Sequence, residues 1–302
     1  MSALRAMMVD VTPETTTTTP LVGRSREVAQ LSELAGLDST PRAGSVLVAG
    51  DAGVGKTRLL AELRDLARDA GWRVLAGHCL DFGDSALPYL PFSEIFGRLG
   101  TDSPALIESL AQAHPAVRRL LPGRRLLSDA EQVPSGPMDR GDLFESVHAA
   151  FEQLGDAAAL LVLVEDVHWA DQSTREMLSF LFARQFAAPV VVVASYRSDD
   201  LHRRHPLRRP IAEWSRLPRV RRLALAPLGN TEIRTLISSL QKVPLPEADV
   251  RRILERAGGN AFFTEELVAA SSLGDPGGVP PELADLLLVR LDPLSESAAQ
   301  VA

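Results

Sequence analysis

The residues Gly50-Asp51-Ala52-Gly53-Val54-Gly55-Lys56-Thr57 constrain this chain more than any other stretch. They fit the spacing G-x-x-x-x-G-K-[ST] and lie between an apolar run, Ser45 to Ala49, and a segment of helical periodicity from Lys56 to about Ala70. A strand that turns into a helix through closely spaced glycines lets successive backbone N–H groups curl around phosphates, and the helix adds its positive N-terminus. In that geometry Lys56 reaches the terminal phosphates and the Thr57 hydroxyl joins a Mg²⁺ shell. Lys56 is one of two lysines, with Lys242, among 32 basic residues, so its position is informative.

Around this motif, apolar runs alternate with helical patterns. Strands are expected at Ser45 to Ala49, Arg73 to Ala76, Leu160 to Val164 and Val190 to Ser195, with a helix from Ser173 to Phe186. Strands separated by helices imply an α/β fold, a parallel sheet covered by helices on both faces. The segment from Asp81 to Asp142 is punctuated by seven prolines and reads as an elaboration carrying short helices, Phe92 to Leu99 and Pro104 to Ala111, with Phe92, Phe96 and Leu99 facing the core. Past Pro227 helices take over: Thr231 to Leu240, Glu247 to Ala257, Phe262 to Ser272 and Glu282 to Leu291. The expected organisation is a polar, disordered tail over 1–20, a P-loop NTPase core over 21–226, a small helical lid over 227–276, and over 277–302 the start of a further domain that looks truncated.

Composition narrows the partners. A net charge of -7 argues against neutralising a nucleic-acid backbone. Eight arginines between Arg203 and Arg222 stand against one acid, Glu213, but lack aromatic interleaving beyond Trp214, and read as a solvated helix and loop face. The longest apolar stretches, Ala157 to Val164 and Ala187 to Ala194, fall far short of the roughly 18 to 20 residues that span a bilayer, and no signal peptide is apparent. The single cysteine, Cys79, suits a reducing cytoplasm.

Two further groups complete a phosphate site. Leu160-Leu161-Val162-Leu163-Val164-Glu165-Asp166 is an apolar strand ending in two carboxylates. The first acid after such a strand ordinarily orders the metal and the second polarises the attacking water, which assigns Glu165 to Mg²⁺ and Asp166 to the base; with Glu in the first place the roles could be exchanged. Arg197 follows the strand Val190 to Ser195 at the edge where open α/β sheets bind ligands, placed to sense a γ-phosphate. His168 stands near these acids and reads as a structural, hydrogen-bonded imidazole rather than a metal ligand.

Taken in order, Leu21-Val22-Gly23-Arg24-Ser25-Arg26-Glu27, the P-loop, Val164-Glu165-Asp166-Val167-His168-Trp169-Ala170-Asp171, Ser195-Tyr196-Arg197 and Gly258-Gly259-Asn260-Ala261-Phe262-Phe263-Thr264-Glu265-Glu266-Leu267 resemble the ATPase module of the large ATP-binding LuxR-type regulators. These belong to the STAND branch of P-loop NTPases, related to AAA+ proteins. The resemblance covers roughly residues 21 to 302. It implies that Val22, Gly23 and Arg24 lie against adenine and ribose, that Arg58 and Asn260 join Gly50 to Thr57 in the nucleotide site, and that Arg197 is the sensor arginine. The element around Asn260 usually reads Gly-Asn-Pro, its proline packing on the base. Here Ala261 replaces it, which weakens the lid's hold on the base and leaves the phosphate site untouched.

The function so implied is a slowly hydrolysing ATP/ADP switch with Mg²⁺, cytoplasmic and self-associating. Val279 to Ser295 resembles the lead into a winged-helix domain, and DNA would be reached only through a C-terminal domain outside these residues. Two alternatives use the same residues: an ATPase module governing a fused cyclase or kinase, and a small-molecule phosphotransferase with its acceptor site in the Asp81 to Asp142 segment.

Overall fold

The computed structural model describes residues 21–37, 40–81, 83, 87–121, 137–241 and 243–272, with the side chains of 137–139 excepted. The expected tail over 1–20, the helix from Glu282 to Leu291 and the further domain over 277–302 lie outside the described residues.

Five strands, β1 (Gly44–Gly50), β2 (Arg73–His78), β3 (Leu160–Glu165), β4 (Val190–Arg197) and β5 (Val220–Ala224), form one sheet in the order β2-β3-β4-β1-β5, every pairing parallel. The three central strands are branched apolar runs because neighbouring residues feed opposite cores. Leu161, Leu163, Val191 and Val193 join Val46 and Val48 beneath helices α1 (Ser25–Ala35) and α2 (Lys56–Asp69). Leu160, Val162, Val164, Val190, Val192 and Ala194 join Leu47 and Ala49 on the other face. There they meet α3 (Leu90–Asp102), α4 (Pro104–Ala113), a 3-10 turn over Pro115–Leu120, α5 (Pro137–Ala157), α6 (Gln172–Ala183) and α7 (Arg208–Trp214).

The elaboration after β2 is thus a wall of the core. Phe92 and Phe96 are fully buried, Leu99 nearly so, as their spacing predicts, and Phe96 stacks on Phe151 of α5 at 5.8 Å. The approach of α3 to β2 depends on Gly77, where a Cβ would stand 2.1 Å from the Pro91 carbonyl oxygen.

Two elements differ from expectation. The helix expected from Ser173 to Phe186 stops at Ala183, because Arg184 is extended and Phe186 turns inward to stack on His148 at 4.3 Å. The arginine-rich stretch contains the edge strand β5 besides helix and loop. Only Val220 and Leu223 of β5 are buried, while Arg221 and Arg222 face solvent, where charge discourages edge-to-edge pairing.

After β5, α8 (Asn230–Leu240), α9 (Glu247–Ala257) and α10 (Ala261–Ser272) build a separate apolar cluster from Leu228, Ile233, Leu236, Ile253, Ala257 and Leu267, among others, on which Val22 also packs. No helix among the described residues is long and apolar enough to cross a membrane.

Gly77→Val should lower unfolding stability by about 1–3 kcal/mol, the usual cost of overpacking, as read by chemical denaturation. An unchanged midpoint would mean that α3 does not depend on this close approach.

Candidate functional site

At the C-terminal edge of the sheet, β1 ends at Gly50 and the chain turns through Gly53 (φ 74°) and Gly55 (φ 102°) into α2. Positive φ at both positions is the reason glycine stands there. No side chain caps α2, so its first N–H groups remain directed at the loop's concavity, as an anion site requires. Lys56 is 7% exposed, and its ammonium donates to the carbonyls of Gly50 (2.8 Å) and Asp51 (2.9 Å). Burial lowers its pKa, while the carboxylates of Asp166, Asp199 and Asp51 pull it back up and Arg197 pushes it down.

Glu165 is the last residue of β3 and is 8% exposed. Burial holds its pKa up, opposed by His78 and by the neighbouring Thr57 side chain. Asp166 follows in the left-handed region at φ 56°, and its N–H donates to the Ser195 hydroxyl at 3.1 Å. Burial raises its pKa too, opposed first by Arg197 and then by Lys56. The structure therefore brings together Lys56, Thr57, Glu165, Asp166 and Arg197, which belong to three different strand ends.

Beyond Asp166 the chain makes a 3-10 turn over Val167–Trp169 and enters α6 with Asp171 as its cap, which accepts from the Ser173 N–H at 2.7 Å and the Thr174 N–H at 3.3 Å. Arg197 lies over the Trp169 ring, 4.8 Å from its centroid, and 3.8 Å from Asp200. His168 departs from the expected hydrogen-bonded imidazole. Its nitrogens stand 3.8 Å from Asp166 and 3.7 Å from Asp200, and neither has a hydrogen-bond partner. Burial, helped by Arg197 and Lys56, pushes its pKa down to about 3 and so holds the ring neutral. No group of three or more metal-ligating side chains of the His, Cys and carboxylate type occurs among the described residues.

Of the other expected site residues, Arg24 and Asn260 bond to the P-loop, while Val22 and Gly23 pack on the α8–α10 cluster. Arg24 is 4% exposed and donates to the carbonyls of Val54 (3.0 Å) and Ala226 (2.7 Å), with Glu27 as its ion-pair partner at 3.0 Å. Gly23 lies against α8, where a Cβ would come within 2.4 Å of Glu232. Asn260 donates from Nδ2 to the Ala52 carbonyl at 2.8 Å and accepts the Phe263 N–H at 3.2 Å, while the Phe262 N–H donates to Gly53 at 3.1 Å. Asn260 thus clamps the phosphate loop to the start of α10. Arg58, in the first turn of α2, offsets the burial that raises the pKa of Glu265 on α10.

Two groups escaped the sequence reading. His78, beside Glu165 in the β2–β3 register, is held by Glu94 of α3 at 3.1 Å and lies 3.7 Å from Glu165. That contact joins residues far apart in sequence and has no local signal. The second is Ser198-Asp199 after β4: the Ser198 hydroxyl donates to Asp51 at 2.9 Å, and the Ala52 N–H donates to the Asp199 carboxylate at 3.2 and 3.3 Å. Their position just past a strand's C-terminal end was the available clue.

A parallel five-stranded sheet of this order, with a glycine-rich loop leading from β1 into α2, is the P-loop NTPase fold. The chain belongs to the AAA ATPase domain family, which it matches over residues 20–193, more than half its length. It is similar to an uncharacterized protein of Rhizobium meliloti (strain 1021), 29% identical over 272 residues, and spans 82% of itself but only 25% of that protein. Solved structures of similar shape include a signal transduction ATPase with numerous domains from Pyrococcus horikoshii, which carries a tetratricopeptide repeat sensor (TM-score 0.49, 17% identity, 94% of this chain and 35% of that one). Another is Cdc6p from Pyrobaculum aerophilum (TM-score 0.49, 15% identity, 85% and 64%). Neither likeness bears on what this chain binds. Family membership implies a nucleotide, typically with Mg²⁺, and the uncapped helix, the buried ammonium and the Thr57–Glu165 pair fit both.

Arg24→Ala should destabilise the nucleotide-free protein by about 1.5–3 kcal/mol, since it removes charged hydrogen bonds to two carbonyls, as read by thermal or urea unfolding. Stability within error of wild type would instead free Arg24 for a role in ligand binding alone.

Proposed function

We propose that this chain is the ATP-dependent switch of a LuxR-type transcriptional regulator of the STAND kind, cytoplasmic and self-associating, with ATP and Mg²⁺ bound between a core over 21–226 and a helical lid over 227–276. The observation that carries the reading is the clamp between phosphate loop and lid: Asn260 on Ala52 and Phe262 on Gly53 make any change in loop shape a change in the seat of α10. A ligand shifts such an equilibrium only through differential contacts with its two states, and this clamp lies where those contacts would be made.

The roles follow from the surroundings. Gly50 to Thr57 cradle the phosphates, with Arg58 beside them, Arg24 and Asn260 bonded to the loop, and Val22 and Gly23 packed on the α8–α10 cluster. The nearness of Thr57 to Glu165 supports these two, with Asp166, as the groups around Mg²⁺. When bound, the metal draws charge from the terminal phosphates. Asp166, in the field of Lys56 and Arg197, is suited to orient the attacking water and take its proton, and its raised pKa favours a base of useful strength. Arg197 is free to leave Trp169 and Asp200 for a γ-phosphate, a contact that distinguishes ATP from ADP. Transcriptional output would come through a winged-helix domain starting in 277–302 and a DNA-binding domain beyond it.

A single-turnover assay, with limiting labelled ATP and excess protein, tests this reading. Slow conversion to ADP that stays bound is expected, whereas rapid conversion with prompt release would indicate a turnover enzyme. In the same assay Lys56→Ala should lose tight ATP binding, and the Glu165→Gln, Asp166→Asn double variant should keep ATP without cleaving it. Brisk cleavage by the double variant would place the base elsewhere. Arg197→Ala should leave ADP affinity nearly intact and reduce the preference for ATP; equal loss of both would make it structural.

A further inference from the structure

The phosphate loop already carries an anion. The Ala52 N–H, one of the backbone donors of Gly50 to Thr57, is bonded to both oxygens of the Asp199 carboxylate, 147 residues away in sequence. This contact is braced: the Ser198 N–H donates to the Gly50 carbonyl at 3.2 Å and the Ser198 hydroxyl to Asp51 Oδ1 at 2.9 Å. The turn after β4 is therefore laced to the first three residues of the loop, Gly50, Asp51 and Ala52. Asp199 also shares the field of Lys56 with Asp166 and Arg197, the groups at the terminal-phosphate end of the site.

We propose that Asp199 is a specificity-determining residue of the nucleotide site, a built-in carboxylate that occupies one backbone donor of the phosphate loop and penalises a nucleoside triphosphate more than a diphosphate. Two physical effects act in the same direction. A phosphate oxygen that reaches the Ala52 N–H must first displace the carboxylate from its hydrogen bond. The displaced carboxylate, tethered through Ser198, stays near the terminal phosphate, and its repulsion grows with the charge there. Since Asp199 lies two residues beyond Arg197, one segment carries both the group suited to attract a γ-phosphate and the group that resists it. The ATP to ADP affinity ratio is then set by their balance. This proposal rests on the assignment of Gly50 to Thr57 as a nucleotide phosphate site.

The test uses the 302-residue chain with Mg²⁺ throughout, measuring by calorimetry the affinities for ADP and for a slowly hydrolysed ATP analogue in wild type, Asp199→Asn and Asp199→Glu. Asn keeps an oxygen for the Ala52 N–H and removes the charge. Asp199→Asn is expected to tighten the ATP analogue about threefold to tenfold more than ADP, with a gain that shrinks at higher salt. Asp199→Glu should keep a ratio near wild type. Asp199 is exposed, so the fold is expected to tolerate both changes, and a thermal melt checks it. An unchanged ratio in Asp199→Asn, or an equal change for both nucleotides, overturns the proposal while leaving the phosphate site standing. Failure of wild type and Asp199→Asn to bind either nucleotide removes the phosphate-site reading and this proposal with it.

Discussion

A parallel sheet buried on both faces has no room for charge along its strands, so its polar chemistry collects where the strands stop. Here β1, β3 and β4 run through two apolar cores and end together at Gly50, Glu165 and Arg197. The ammonium of Lys56 sits among those ends, largely withdrawn from water, and a buried cation persists only with partners. Two loop carbonyls supply its hydrogen bonds, and the surrounding carboxylates supply opposite charge. The shape of the phosphate loop, the placement of the two acids after β3 and the turn after β4 all bear on that one ammonium.

How the strands pack explains what could be read in the sequence. The three central strands had to be uninterrupted apolar runs, because both sides of each are covered, and so they stood out. At the edge, β5 needs only Val220 and Leu223 indoors, and its Arg221 and Arg222 resemble any charged surface segment. The early end of α6 also had no local mark: Leu178, Phe182 and Phe186 keep a helical spacing, but Phe186 packs on His148 from the extended chain after Ala183 instead of a further helical turn. Within the site, a motif of contiguous residues carried Gly50 to Thr57, and strand-end position carried Glu165, Asp166 and Arg197. His78–Glu94 and Ala52–Asp199 depend on the fold bringing distant segments together, which spacing cannot express.

The flanking residues illustrate a related limit. The family resemblance implies Arg24 against adenine and ribose and Asn260 in the nucleotide site; in the structure the side chains of both bond to the phosphate loop. Yet Arg24 uses its buried guanidinium to tie the loop to the chain leaving β5, and Asn260 joins the loop to α10. Each bonds a backbone carbonyl, an acceptor that every residue possesses, so the sequence had no means of marking the partner. The consequence is mechanical: the leading segment, the core and the α8–α10 cluster are joined through the carbonyls of the phosphate loop itself. A shift of that loop by a fraction of an ångström alters hydrogen bonds in all three at once.

The same site holds a buried imidazole between two carboxylates. His168 is buried with two unpaired nitrogens, each slightly too far from a carboxylate, Asp166 on one side and Asp200 on the other. Unmade hydrogen bonds on buried polar atoms cost stability, of order 1–3 kcal/mol each. A small displacement of either the turn after β3 or the turn after β4 would satisfy one of them. A neutral imidazole has a single N–H and can donate to only one carboxylate at a time. Movement that favours Asp166 therefore forgoes Asp200, whose own neighbour is Arg197. His168 thus stands between the acid after β3 and Asp200, the ion-pair partner of Arg197 at 3.8 Å, so the two turns meet at one neutral ring.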